Sequence, residues 1–96
     1  MKVEVSRSQR AGKKWKAQLP SGKAVHFGAT PYQDFTQHGD QKRRESYLAR
    51  HRPNQDWSKG GVGTAGFWSR HLLWEKHTVR GAAKALASKG LQVSIR

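Results

Sequence analysis

The stretch Trp15-Lys16-Ala17-Gln18-Leu19, followed by Pro20-Ser21-Gly22 and then Lys23-Ala24-Val25-His26-Phe27, decides the architecture. Two short runs alternate apolar and polar residues, and a Pro-Ser-Gly turn separates them. That combination predicts a β-hairpin. A period of two puts Trp15, Ala17 and Leu19 on one face, matched by Val25 and Phe27. Lys16, Gln18, Lys23 and His26 are left towards solvent. Trp15 therefore reads first as a core residue. Upstream, Lys2-Val3-Glu4-Val5-Ser6 alternates in the same way and adds a strand, with Gly12-Lys13-Lys14 turning it into the hairpin.

Downstream the period changes. Residues 28–39, punctuated by Gly28, Pro31 and Gly39, read as irregular. Asp40 is a good N-cap for a helix over 41–52, which Pro53 stops. On a helical wheel Lys42, Arg43, Ser46 and Arg50 fall within about 100° of one another, and Tyr47 and Leu48 occupy another sector. Such a helix docks through Tyr47 and Leu48 and turns a basic stripe outwards. After a loop over 53–63, Thr64 caps a helix over 65–75. There Phe67, Trp68, His71, Leu72 and Trp74 cover an arc of about 160°, with Leu73 near the other side. This is the expected central core element. Thr78 caps a last helix over 79–88, Gly90 ends it, and Leu91, Val93 and Ile95 alternate as a possible C-terminal strand. The expected fold is a single α+β domain over 1–96. It has a small antiparallel sheet over 1–28 and three packed helices in a helical part over 40–90.

Composition limits what such a domain can do. The chain has 96 residues, 34% of them hydrophobic, so its core is small. Four Trp, three Phe and two Tyr compensate in part, because each ring buries a large apolar area. Cysteine is absent, which removes disulfides and thiolate zinc. The N-terminus has no apolar leader and no run approaches a membrane span. The expected setting is the inside of a cell or particle, with no membrane partner and no secretion.

Charge carries the functional reading. Nineteen Lys and Arg face six acidic residues, for a formal net charge of +13. Residues 1–52 hold 12 basic and 4 acidic side chains, and residues 53–96 hold 7 and 2, so the excess runs along the whole chain. Phosphate polymers are the natural partners of such a surface, since contacts to them release condensed counterions. The candidate nucleic-acid contacts are Lys13, Lys14, Lys16, Lys42, Arg43, Arg44, Arg50, Arg52 and Arg70. Double-stranded DNA is expected ahead of RNA, held through backbone phosphates with little sequence reading.

Other constellations argue less. Gly61-Val62-Gly63-Thr64-Ala65-Gly66 matches G-x-G-x-x-G, but polar loop precedes it and no carboxylate follows at the required distance. It reads as a connector, or as a loop whose amides meet a phosphate. The five histidines have no zinc spacing, and no metal or cofactor is expected. A nuclease built from His38, Asp40, His51 and Asp56 with Arg43 and Arg44 is a third reading, without a recognised motif behind it. The chain therefore reads as a binding protein and not as an enzyme.

Several segments carry a resemblance: Val25-His26-Phe27-Gly28, Tyr32-Gln33-Asp34-Phe35-Thr36-Gln37-His38-Gly39-Asp40 and Arg44-Glu45-Ser46-Tyr47-Leu48-Ala49-Arg50-His51. Asp56-Trp57 and Thr64-Ala65-Gly66-Phe67-Trp68-Ser69-Arg70-His71-Leu72-Leu73-Trp74 continue it. From Trp15 to about Arg80 the chain resembles a family of short basic proteins of unknown function encoded by large DNA viruses of algae and amoebae. Glu75-Lys76-His77-Thr78 departs from the Asn-Lys-Pro-Thr of that family. The resemblance implies a viral protein, either packaged in the virion or working on viral nucleic acid in the nucleus or cytoplasm of the infected host. It also supplies the second reading, a minor structural or cement protein whose partners are viral structural proteins.

Overall fold

Each alternating run becomes a strand. In the computed structural model, which describes all 96 residues, β1 (Lys2–Arg7), β2 (Lys13–Gln18) and β3 (Ala24–Ala29) form an antiparallel meander. The hairpin turn closes through Leu19, whose N–H donates to the Lys23 carbonyl at 2.9 Å. Register follows the apolar pattern: Ala17 stands opposite Val25 and Trp15 opposite Phe27, all on the core face. The C-terminal strand β4 (Gln92–Ile95) joins at the far edge, giving the order β3-β2-β1-β4. It runs parallel to β1, so the sheet is mixed and not wholly antiparallel. The cause is the connection. β4 follows a helix that crosses the sheet, and a crossover returns the chain in a parallel sense.

The helices are α1 (Phe35–His38), α2 (Gln41–His51), α3 (Ala65–Trp68) and α4 (Val79–Ala87). Asp40, Thr64 and Thr78 cap α2, α3 and α4 as the sequence predicts. The short α1 lies inside the stretch expected to be irregular. Its signal is a capping box: the Asp34 side chain meets the N-terminal amides, and Gln37 reaches back to the Asp34 N–H at 3.0 Å. Beyond Trp68 the chain widens into a π turn over Ser69–Leu73, and the helix stops there, short of residue 75. The extra residue per turn rotates Leu73 from the far side of an ideal wheel into the core, where it is buried. It also carries Trp74 out. That ring is half-buried and packs against the central cluster from outside, which corrects its expected place as a core residue.

The core lies between the sheet and α3–α4, built on Val3, Val5, Val25, Phe27, Phe67, Trp68, Leu72 and Leu86. Trp68 has no exposed surface, and its indole N–H donates to the Val62 carbonyl at 2.7 Å, so even its polar atom is satisfied. Trp15 is half-buried at the core margin with the Arg7 guanidinium 4.1 Å over its ring. Gly28 sits where β3 curls, at φ +79; a Cβ there would lie 2.9 Å from Leu73 Cδ1 and 3.3 Å from Lys14 Cβ. No helix is long and apolar enough to cross a membrane.

Candidate nucleic-acid interface

Helix α2 owes its position to its first residue and to one face. The Asp40 carboxylate accepts from the amides of Lys42 (3.0 Å) and Arg43 (3.3 Å), which fixes the register of the helix. Tyr47 then turns inwards and is buried against Trp74, while Lys42, Arg43, Ser46 and Arg50 are exposed. These four residues do not face open solvent alone. They line one wall of a groove of about 1060 Å³, whose other wall comes from the ends of β2 and β3 and the turn after them. Tyr47 and Trp74 also line it. Burial pushes the Tyr47 phenol up to about 12, so it stays a neutral donor at any ordinary pH.

The structure divides the nine predicted contact residues. Lys13, Lys42, Arg43 and Arg50 line the groove, and none of their side chains has a carboxylate or hydrogen-bond partner. Lys14 lines it too, but its ammonium is held inside the fold. It donates to the Tyr32 carbonyl at 2.6 Å, to Asp34 Oδ2 at 2.7 Å and to Gln37 Oε1 at 2.6 Å. Arg44 turns away, donating to the Trp74 carbonyl at 2.6 Å and to Glu75 at 3.4 Å. Arg70 binds the other oxygen of Glu75 at 3.1 Å and lies 5.3 Å over the Trp57 ring. Arg52 follows α2 and lies 6.0 Å from Trp57, and Lys16 pairs across the sheet with His26 on its helix-free face.

The acidic residues explain this division. Asp34, Glu75 and Glu4 are in ion pairs, Asp40 caps α2, and Asp56 accepts from the Ser58 amide and hydroxyl. Burial alone would raise the Glu75 carboxyl, but the Arg70 guanidinium beside it, helped by Arg44, holds it below its ordinary value. Four of the nineteen Lys and Arg are paired in this way, leaving fifteen without a carboxylate. Asp34 is the one acid lining the groove, and Lys14 already neutralises it.

The residues of the nuclease reading each have a local partner. His38 Nδ1 accepts from the Asp40 amide at 2.9 Å, the His51 ring packs at a tilt against Tyr47, and Asp56 serves its own turn. No three His, Asp or Glu side chains come together in a geometry that would hold a metal ion. The glycine motif packs instead: a Cβ on Gly61 would fall 1.9 Å from the Asp56 carbonyl oxygen. One groove residue is absent from the contacts expected from the sequence, where it stands only inside the resembling segment Tyr32 to Asp40. Tyr32 is 73% exposed at the groove, the one exposed residue among the Phe, Tyr and Trp, and only the neighbouring cluster of cations marks it as more than a loop residue.

Residues 3–51 match a family of unknown function (DUF5754), just over half of the chain. The chain belongs to the DUF5754 family. The DUF5754 match runs from β1 to the end of α2, so it contains Lys13, Tyr32, Lys42, Arg43 and Arg50 and stops before α3. No curated protein and no solved structure matches the chain.

Proposed function

We propose that this protein binds nucleic acid, DNA before RNA, by holding backbone phosphates in the groove between α2 and the β2–β3 end. The observation that carries this reading is the gathering of Lys13, Lys42, Arg43 and Arg50 on one groove with no carboxylate to neutralise them. Unpaired cations on a concave surface attract a polyanion at long range and exchange counterions with it at contact. The resemblance to proteins of large DNA viruses supports a viral setting, in the infected cell or the particle.

The test is a salt series with labelled DNA. With about four phosphates neutralised, log K should fall against log salt with a slope of roughly −3 to −4. A slope near zero, or no binding at low salt, overturns the reading. A stoichiometric, salt-resistant complex with a capsid protein would favour the cement role instead.

A further inference from the structure

The geometry points to an unpaired single strand, not a duplex, as the occupant of the groove, with Tyr32 as the platform on which one base stacks. This rests on the phosphate-binding reading above and narrows it. Net charge alone favours duplex DNA, but shape does not. A helix that enters the major groove of a duplex must protrude, since with its side chains it is about 10–12 Å across and the groove about 12 Å wide. A duplex held by its phosphates alone needs a surface that lies along the outside of the rod. The basic face of α2 is instead one wall of a concavity, with Lys13, Ala29 and Tyr32 of the same chain on the other side. The groove is open along one side and offers a volume of about 1060 Å³, at the upper end of ordinary ligand clefts. A few linked nucleotides fit that scale.

Tyr32 supplies the second half of the argument. Sequence-tolerant single-strand sites pair a basic groove with aromatic rings, since every base has a π face to stack. Tyr32 is 73% exposed, yet its backbone is fixed at both ends. Its N–H donates to the Ala29 carbonyl at 3.2 Å, and its carbonyl accepts from Lys14 Nζ at 2.6 Å. An exposed ring on an anchored backbone loses little freedom when a base settles on it. A duplex keeps its bases stacked within itself and offers none to the ring without flipping one out.

The experiment measures fluorescence anisotropy of a thymine homopolymer of about 12 nucleotides, inside the size range of single-strand sites, against a duplex of equal length. The wild type should bind the single strand more tightly. Tyr32→Ala should weaken that binding about 5- to 150-fold, the range carried by one base–aromatic stack. Tyr32→Phe should restore it, and duplex binding and the thermal melt should hardly move for either variant. Equal or tighter duplex binding, or a Tyr32→Ala protein that binds the homopolymer like wild type, overturns the single-strand inference while phosphate binding stands. Failure of both probes at low salt overturns both.

Discussion

Tyr47 and Trp74 lie face to face, their ring centroids 4.1 Å apart and their planes within 4° of parallel. This stack joins α2 to the segment after the π turn, and the bond from Arg44 to the Trp74 carbonyl reinforces it. The basic groove therefore rests on an aromatic pair whose Trp74 packs against the outside of the central core. Two tilted imidazoles flank the pair, His51 at 4.3 Å from Tyr47 and His38 at 5.3 Å from Trp74.

Two tryptophans six residues apart should consequently behave differently. Trp68→Ala removes a fully buried ring and orphans the Val62 carbonyl, at a cost of about 3–5 kcal/mol, a large share of the stability of so small a domain. Trp74→Ala removes a half-buried ring whose stack is worth about 0.5–1.5 kcal/mol beyond its area, and a loss of about 2 kcal/mol is expected. Urea melts of the two variants decide the matter. Equal losses would place Trp74 in the core.

The ion pair between Lys14 and Asp34 ties β2 to α1, with side-chain exposures of 10% and 5%. Asp34 also accepts from the Thr36 amide at 3.0 Å and from the Thr36 hydroxyl. Lys14→Met would leave a buried carboxylate without its cation, which costs about 3–5 kcal/mol. Lys13→Met, one residue earlier, should change the melt by under about 0.5 kcal/mol, because it removes no partner. In DNA binding at low temperature, where both proteins are held folded, both variants should bind more weakly: Lys13→Met through a lost phosphate contact, Lys14→Met through the Asp34 charge it leaves uncompensated in the groove. A Lys14→Met protein as stable as wild type would show that the pair adds nothing.

The residues that repeat with a clear period were legible in sequence: the hairpin, the caps at Asp40, Thr64 and Thr78, and the inward face of α4. Features set by tertiary contact were not. Leu73 and Trp74 exchange places because a π turn breaks the 3.6 period, and nothing in the order Ser69-Arg70-His71-Leu72-Leu73 announces it. Lys14 looks like Lys13 until Asp34 and Gln37 are brought beside it by the capping box of α1. The Asp34-x-x-Gln37 signal was present and short enough to pass as loop. The stripe on α2 was readable as basic, but its placement in a groove depends on residues 13–33, which no local pattern relates to it.

Acid should destabilise the fold through its histidines. His71 is held below its ordinary value of 6.5, first by burial, with Arg70 and Lys89 adding to the shift against the opposing bond to Trp57 and the Glu75 charge. His26, His38 and His51 shift the same way, each first through loss of solvent. A depressed folded value means that the unfolded chain binds protons first. Stability is thus full above about 6.5 and is lost as pH falls from there towards the folded value. His71 Nε2–H donates to the Trp57 carbonyl at 2.9 Å, a bond that a glutamine amide can also make. His71→Gln should flatten the fall in melting temperature between pH 7 and pH 5 without abolishing it, since three other histidines remain. An unchanged slope would mean that His71 titrates alike in both states.

The last prediction separates a site from a diffuse charge. Lys42, Arg43 and Arg50 are exposed, make no ion pair and share the groove wall, while Tyr47 and the Arg44 bond hold the helix from its other side. Changing all three to Ala should leave the melt nearly intact, at under about 0.5 kcal/mol for each exposed position. Alanine is also the best helix former, so α2 itself is not weakened. Affinity for DNA should fall for every sequence tested, and the salt slope should shrink by about 2–3, near one unit for each lost phosphate contact. The matched control replaces Lys59, Lys84 and Lys89, which are exposed, lie outside the groove and carry the same total charge. Long-range attraction depends on net charge, so the control should slow association a little and leave the slope close to wild type. If it loses as much affinity as the α2 variant, the fifteen unpaired cations act together and the groove has no special role.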